Sequence, residues 1–212
     1  MIVVFTGADG SGKSTVIRIL RSYLTLNFGK AVCVHWLRGS HLLASILLRL
    51  LSLFKSFHGL CSPYYKVCIP DPLKKLWTHI EFWSLIPHLL VRYFLSSVCN
   101  VVLGDRGVID FIVWLIATLN DVHITSSIYG RFLLRLASIE KNIYLHASIQ
   151  TLIKRADMPP EFVRKQVAIY RVLSKYFAKY DIDTGEHNPA QATARVLRWL
   201  SSTQYKTRRG IQ

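Results

Sequence analysis

The sequence predicts an α/β fold of three layers, in which a parallel sheet of five strands has helices on both faces. Short apolar runs rich in β-branched residues alternate along the chain with longer segments of helical spacing. The 212 residues suffice for one domain with a buried core. Hydrophobic residues make up 51% and charged residues 18%, a balance that argues against disorder.

The predicted strands and helices alternate along most of the chain. The strands are predicted at residues 2–6, 31–36, 101–104, 142–146 and 180–183. The helices are predicted at residues 13–27, 41–57, 73–98, 108–120, 126–138, 161–179 and 189–202, with one short helix after residue 146. Strands separated by helices form parallel sheets, and ligands bind beyond the carboxyl ends of their strands.

Residue spacing and residue type justify the individual elements. The run from Ile2 to Thr6 is apolar and β-branched, as a buried parallel strand requires. Between residues 41 and 57 the polar residues recur every three or four positions, which describes a helix with one polar stripe: His41, Ser45, Arg49, Ser52 and Ser56. Residues 58–72 contain one glycine and three prolines and are predicted as a loop.

The chain is strongly basic. It has 27 Lys and Arg residues against 12 Asp and Glu, a formal net charge of +15, which favours nucleotides, nucleic acid or an acidic membrane surface as partners. The mean hydropathy is +0.28, but charges interrupt each apolar stretch before the roughly 20 residues that a membrane span needs. We expect no membrane span, no signal peptide and a cytoplasmic protein, and a homodimer is left open.

The cysteines and histidines do not indicate a metal centre. Cysteines 33, 61, 68 and 99 contain no CxxC pair. We expect reduced, mostly buried thiols, with pairing of Cys61 and Cys68 across a loop as the alternative. Histidines 35, 41, 79, 88 and 146 show no metal-ligand spacing on any one predicted element.

Residues 7–14 read GADGSGKS and match the phosphate-binding P-loop pattern G-x-x-x-x-G-K-[ST] in full. Glycines allow backbone N–H groups to surround phosphate oxygens, and the following helix presents its positive dipole end. Lys13 is expected to reach the β- and γ-phosphates, and Ser14 to ligate Mg²⁺. The alternative is a glycine-rich turn that binds nothing. The predicted phosphate-binding residues are Gly7, Gly10, Ser11, Gly12, Lys13, Ser14 and Thr15.

A second motif follows the predicted strand 101–104. Asp105 stands where P-loop proteins carry the acidic group that holds the water shell of the metal, although a strand-end aspartate also serves as a helix cap. Arg106 is expected to bind an acceptor phosphate through two parallel hydrogen bonds. Together with the P-loop, this pair specifies a three-layer P-loop NTPase fold with its site at the carboxyl edge of the sheet.

These motifs, in their order and spacing, resemble the thymidylate kinase family of nucleoside monophosphate kinases. The resemblance rests on VFTGADGSGKST, VVLGDR, IYLHAS with a basic segment behind it, and YDIDTGEHNPAQATARVL, and it covers most of the chain. It implies a five-stranded parallel sheet between helices. It also implies phosphoryl transfer from ATP to a nucleoside monophosphate, such as dTMP to dTDP, with ATP and Mg²⁺ as cofactors.

The resemblance also implies roles for individual residues. Lys13 and Ser14 would hold ATP and Mg²⁺, Asp9 would face the acceptor near its sugar hydroxyl, and Arg106 would bind the acceptor phosphate. Asp105 would help to place the acceptor or the metal. The implied catalytic residues are Lys13, Asp9, Arg155 and Asp105; the acceptor-binding residues are Asp9, Arg38, Arg106 and Trp83; the metal ligands are Ser14 and Asp105.

The family has a mobile lid after its fourth strand, whose arginines close on the transferring phosphates. Here the corresponding stretch is IKRADMPPEFVRKQ, which predicts a short lid over about residues 154–165. Arg155 falls at the first lid position, and Arg164 or Lys165 either replaces a further arginine or lies on a solvated helix face. Gly10 occupies the P-loop position at which some members carry an arginine, so the lid has to supply one.

The acceptor half departs from the family pattern. Of the family's Arg-Glu-Pro-Gly after the second strand, only Arg38 remains. No arginine stands near Ser84, where the family presents one to thymine, and Trp83 is either a wall of the acceptor site or a core residue. Gly107 replaces an aromatic residue. These changes leave the specificity for thymidine open, whereas the ATP half keeps the family pattern.

We predict one kinase domain over residues 1–203 and a flexible basic tail over 204–212, which contains Lys206, Arg208 and Arg209. One rival function is a kinase of the same fold with another small acceptor. The other is a nucleic-acid-associated ATPase or nucleotide-binding regulator that uses the positive charge. The Asp-Arg pair and the lid favour a kinase, and the sequence contains no separate nucleic-acid module.

Overall fold

The computed structural model describes residues 1–37 and 39–209, with side chains up to Ser202. The strands in chain order are β1 (Ile2–Thr6), β2 (Val32–Trp36), β3 (His58–Ser62), β4 (Val101–Asp105), β5 (Asn142–His146) and β6 (Ala178–Asp183). All except β3 pair in parallel, in the order β2-β4-β1-β5-β6. The predicted five-stranded parallel sheet is confirmed.

In the described part of the chain, eight α-helices surround this sheet. They are α1 (Lys13–Phe28), α2 (Leu42–Leu51), α3 (Lys74–Val98), α4 (Val108–Leu119), α5 (Ile128–Ile139), α6 (Ile149–Arg155), α7 (Pro160–Phe177) and α8 (Pro189–Arg209). The buried residues of α1 and α8 form one core with β1, β4, β5 and β6. Those of α2 to α7 form a second core on the other face, so the predicted three layers are confirmed.

The functional motifs stand at the centre of the sheet. Strands β1 and β4 are neighbours, with Phe5 opposite Asp105. Every residue of β4 is buried, as expected for a central strand covered by helices on both faces. Because parallel strands end at the same edge, the loop after β1 and the Asp105–Arg106 pair lie side by side.

The main departure from the predicted elements lies between α2 and α3. The predicted helix 41–57 ends at Leu51, because Phe54 is extended (φ −101°, ψ 119°), and a 3₁₀ turn follows at Lys55–Phe57. The predicted loop 58–72 contains β3, which forms antiparallel bridges to Val67. Its glycine and prolines indicated turns, but the pairing of its two arms is a contact that spacing does not reveal.

Two predictions fall partly outside the described residues. The helix α8 continues to Arg209, beyond the predicted end at 202. The side chains of Lys206, Arg208 and Arg209 lie outside the described residues, as does Arg38, and the flexibility of the tail stays a prediction. Within the part of the chain that is described, no helix has both the length and the apolar character to cross a membrane.

All four cysteines form disulfides, Cys33 with Cys99 and Cys61 with Cys68. The expectation of reduced thiols is therefore wrong, and the alternative pairing of Cys61 with Cys68 is confirmed. Cys99 lies two residues before β4, which pairs with β2, so the sheet brings it within 6.0 Å (Cα–Cα) of Cys33. Disulfides are typical of oxidising compartments, so the cytoplasmic location gains no support from this pairing.

Three histidines from different elements form a buried cluster. The His88 ring lies 4.4 Å from the His41 ring and 6.0 Å from the His35 ring, measured between centroids. His41 also stacks on Phe111, and its Nε2 is buried without a hydrogen-bond partner in the described residues. Burial, and then the neighbouring charges, lower the pKa of His35 to about 4 and of His41 to about 3.

The histidine cluster predicts an acid-sensitive fold. The pKa of an ordinary histidine is 6.5. Below that pH, His41 and His35 therefore bind protons in the unfolded chain but stay neutral in the folded one. The contribution of these two histidines to stability should be complete above pH 6.5 and should fall as the pH drops towards 4. Urea unfolding between pH 7 and 4.5 would measure this slope.

The matched variants are His41→Phe, which keeps the stack on Phe111, and His123→Phe on the surface. The first should flatten the acid slope by about one proton, and the second should leave it unchanged. Equal slopes in wild type and His41→Phe would contradict the burial of a neutral His41.

Candidate active site

The P-loop connects β1 to α1 and is organised around its lysine. Lys13, the first residue of α1, is buried, and its Nζ donates to the carbonyl oxygens of Gly7 (2.7 Å) and Ala8 (2.8 Å) and to Oγ of Ser11 (3.0 Å). Burial, and then the charge of Arg106, lower the pKa of Lys13 to about 7. An anion beside Nζ would stabilise the ammonium form, so this position suits phosphate.

The two predicted metal ligands lie in contact. Ser14 donates its hydroxyl to Oδ2 of Asp105 over 2.6 Å, across 91 residues of sequence. Hydroxyl and carboxylate oxygens are ligands that Mg²⁺ accepts, and Mg²⁺ takes its remaining ligands from substrate phosphates and water. The pair fits such an ion, which would neutralise phosphate charge there. Larger clusters of His, Cys, Asp and Glu suited to a metal do not occur among the described residues.

Arg106 connects the P-loop to β4 through a buried ion pair. Its Nη2 lies 2.5 Å from Oδ1 of Asp9, and both side chains are about 10% exposed. Gln166 of α7 holds the same aspartate at two points, since its Nε2 donates to Oδ2 (3.0 Å) and its Oε1 accepts from the Asp9 backbone N–H (3.1 Å). Burial alone would lower the pKa of Arg106, but the charges around it, Asp9 first, raise it.

Asp110 forms the inner wall of this cluster. It accepts from the backbone N–H groups of Gly7 (3.3 Å) and Gly107 (2.8 Å) and from the hydroxyl of Tyr170 (2.6 Å), and it lies 3.6 Å from Nη1 of Arg106. Burial raises the pKa of Asp110, while the charge of Arg106 opposes that shift. Asp110 thus fixes the first P-loop residue and the start of α4 at once.

The sequence analysis did not identify Asp110, Gln166 and Tyr170. Asp110 had a local signal, because an acidic residue in the first turn of a helix after a strand-end motif is typical of a cap. Gln166 and Tyr170 lie one turn apart on α7, and only the packing of α7 against α4 brings them to the P-loop.

A second buried arginine holds the backbone at Arg106. The residue has a left-handed conformation (φ 74°), which costs energy for a side chain of this size. Its carbonyl accepts from Nη2 of Arg92 (2.6 Å), whose Nη1 also pairs with Glu140 (3.1 Å). A Cβ at Gly107 would lie 2.4 Å from Val4 and 2.8 Å from Glu140, so a larger residue does not fit there.

Gly10 lies at the crest of the P-loop, against the end of α6. Its φ is 82°, and a Cβ would lie 2.7 Å from the carbonyl oxygen of Leu152 and 3.1 Å from Cβ of Arg155. A side chain at this position would displace α6. The contact therefore accounts for glycine at this position, and it brings the backbone of Arg155 next to the loop.

A cavity of about 710 Å³ opens beside the P-loop at the carboxyl end of β6. Gly12 and Thr15 form one wall, and the connection from β6 to α8 forms another. Arg155 lines it too, with Nη1 donating to the carbonyl of Thr184 (3.2 Å). This volume is typical of small-molecule sites, and Gly12 and Thr15 join the cavity to the P-loop.

Three predicted or alternative residues are not brought to the cluster. Arg164 pairs with Glu161 on the surface (2.7 Å), and Lys165 is exposed. Trp83 is 56% exposed and packs against His79 and Phe82, so it does not line a site with Arg106. Helical spacing sets Trp83 opposite to Glu81, which is buried.

The fold is also found in solved thymidylate kinases. The enzyme from Candida albicans is 14% identical with a TM-score of 0.60, covering 96% of this chain and 92% of that one. The enzyme from Ehrlichia chaffeensis is 17% identical with a TM-score of 0.58, covering 95% and 98%. No protein-family model and no curated protein matches the sequence. The chain therefore has the nucleotide-kinase fold of these enzymes, and at this identity the likeness establishes the fold alone.

Arg92 should be among the most important residues for stability. Arg92→Leu leaves the Glu140 carboxylate buried without its partner and removes the donor that holds the Arg106 carbonyl. We expect a loss of about 3–5 kcal/mol in unfolding free energy, measured by urea denaturation. The same change at the exposed Arg131 should alter stability by less than about 0.5 kcal/mol.

The double variant Arg92→Leu/Glu140→Leu removes both charges and should recover part of the loss. If Arg92→Leu were as mild as Arg131→Leu, the buried pair would have no structural importance.

Proposed function

We propose that this protein transfers the γ-phosphoryl group of ATP to a nucleoside monophosphate, with Mg²⁺ as the metal. The observation that supports this most is the junction of two motifs, because Ser14 contacts Asp105 and Asp9 contacts Arg106. A loop suited to a triphosphate and an arginine from a different strand end thus meet at one edge of the sheet. Such a pair of cationic sites suits a donor and an acceptor phosphate.

The donor would lie along the P-loop. Lys13 would exchange its contacts with loop carbonyls for the β- and γ-phosphate oxygens. Backbone N–H groups at the start of α1 would donate further hydrogen bonds to the phosphates. Ser14 and Asp105 would hold Mg²⁺, which neutralises developing charge on the phosphates. The cavity beside Thr15 would receive the nucleoside part of ATP.

The acceptor would be placed by Arg106. Two parallel N–H donors of a guanidinium match two oxygens of a phosphate, and Asp9 and Asp110 fix the orientation of this side chain. Gln166 in turn orients Asp9, leaving the aspartate beside the acceptor. Phosphoryl transfer needs mainly positioning and charge neutralisation, and both are provided by side chains held within a buried network.

Arg155 is the remaining cation near the transfer path. It stands at the end of α6, next to the crest of the P-loop, and only four residues separate α6 from α7. We propose that it contacts the transferring phosphate from this short lid. Arg164 and Lys165, which the structure leaves on the surface, have no such part.

A coupled ADP-release assay against a panel of nucleoside monophosphates, including dTMP, tests the function. ADP release that depends on one of them supports it. If no monophosphate stimulates ADP release but another small acceptor does, the protein is the rival kinase. Release stimulated by DNA or RNA, with binding that weakens steeply with salt, would indicate the nucleic-acid-associated ATPase.

Lys13→Ala should reduce kcat at least about 100-fold, because no other P-loop side chain can neutralise the β- and γ-phosphates. The assay is ADP release at saturating ATP, with circular dichroism to verify folding. Lys75→Ala, an exposed lysine on α3, is the control and should be fully active. Full activity of Lys13→Ala would exclude the kinase function.

Arg106→Ala should weaken the binding of the acceptor far more than the binding of ATP. The lost charge-assisted hydrogen bonds should raise the acceptor KM by about one to two orders of magnitude. Measuring KM for both substrates separates the two effects, and Arg131→Ala is the surface control. A rise confined to the KM of ATP would mean that Arg106 binds the donor instead.

A further inference from the structure

A second cavity lies at the carboxyl end of β2. It has a volume of about 450 Å³ and is lined by Trp36, Gly39, Ser40, Arg49, Ser52, Tyr64 and Tyr65. It begins where β2 ends, next to Asp105, whose carbonyl accepts from the Leu37 N–H over 3.0 Å. Tyr64 is near enough to Arg106 to influence the pKa of that guanidinium, so this residue connects the cavity to the proposed acceptor-phosphate site.

The walls of this cavity suit a planar ring. Trp36, Tyr64 and Tyr65 line it, and Tyr64 stacks on Trp114 with centroids 5.4 Å apart. Aromatic side chains of this kind bind nucleobases by stacking, which holds any base and does not choose between them. Choice of base therefore depends on the polar atoms that the cavity presents.

Ser40 is a buried polar lining residue whose hydroxyl has a fixed orientation. It is 7% exposed, and its hydroxyl donates to Oε1 of Glu81. The same hydroxyl oxygen accepts from Nε1 of Trp114 (3.2 Å). A serine hydroxyl has one proton and two lone pairs, so one lone pair remains for a ligand and no proton does.

Glu81 enforces this orientation. Its Oε1 also accepts from Nε1 of Trp77 (3.1 Å), and its Oε2 is buried without a hydrogen-bond partner in the described residues. An ionised carboxylate can only accept, so the Ser40 proton is held towards it. Burial raises the pKa of Glu81 to about 7, which means that the carboxylate is ionised at pH 8. With its proton held by Glu81, Ser40 thus offers a ligand only a hydrogen-bond acceptor.

From this geometry we infer that Ser40, oriented by Glu81, makes the protein select a nucleobase with an exocyclic amino group, such as cytosine or adenine, over one with a carbonyl at that position. An amino group donates to the free lone pair of Ser40, whereas the carbonyl of uracil or thymine would meet a second acceptor. This inference rests on the proposed function, since it takes the cavity as the acceptor site. Arg49, the charged lining residue, is exposed, whereas Ser40 is buried.

Two pairs of monophosphates differ at the exocyclic group and at the adjacent ring nitrogen, which is an acceptor in the amino member and an N–H donor in the carbonyl member. Cytosine and uracil differ by amino against carbonyl in dCMP and dUMP, and AMP and IMP differ in the same way. At pH 8, kcat/KM within at least one pair should favour the amino member by about 10-fold or more. Equal use of both members, or a preference for dUMP, dTMP or IMP, would overturn the inference while leaving the proposed kinase function intact.

Ser40→Ala should bring the ratio within that pair close to one, because it removes the acceptor that Glu81 orients. Thr78→Val, which removes another buried hydroxyl from the Glu81 helix, should keep the wild-type ratio. A ratio is insensitive to general loss of activity, so it separates base choice from folding. An unchanged ratio in Ser40→Ala would contradict the assignment to Ser40.

If the protein phosphorylates none of these monophosphates, calorimetry can still measure the Kd of each member of the same pairs. Absence of transfer to every acceptor would remove the proposed function. A preference in Kd for the amino member, lost in Ser40→Ala, would still support the binding site. Equal Kd values within both pairs would overturn it.

Discussion

The ion pair between Arg106 and Asp9 holds the two halves of the site together. It joins the P-loop after β1 to the end of β4, and it is buried among Asp110 and Gln166. The backbone of Arg106 has a left-handed conformation, which a hydrogen bond from Arg92 to the Arg106 carbonyl stabilises. Loss of this pair would separate two buried opposite charges, and the P-loop and the Asp105–Arg106 motif would lose their fixed relation.

The sequence predicted the parts of the site that are contiguous. Lys13 and Asp105 could be found because a glycine-rich loop and a strand end are local patterns with strong residue preferences. Gln166 and Tyr170 could not, since they reach Asp9 and Asp110 only through the packing of α7 on α4. Helical spacing assigns them to a buried face, and nothing in that spacing identifies the opposing residues.

The same limit applies to the corrections. The Cys33–Cys99 disulfide depends on the pairing of β2 with β4, which spans 66 residues of sequence. The aromatic residue considered for the acceptor side, Trp83, is exposed, whereas Glu81 two positions earlier is buried with Ser40. A shift of two residues on a helix changes the face that a side chain occupies, so a site assigned by counting along the chain is easily misplaced.

Whether the γ-phosphoryl group of ATP goes to an acceptor or to water is the question that decides the function. The direct measurement is to incubate the protein with Mg²⁺, nucleoside monophosphates and ATP labelled at the γ-phosphorus, and to separate the products. If Arg106 and Asp9 hold an acceptor beside the P-loop, the label appears in a nucleoside diphosphate. Label found only in inorganic phosphate, or retained in ATP, would contradict the account.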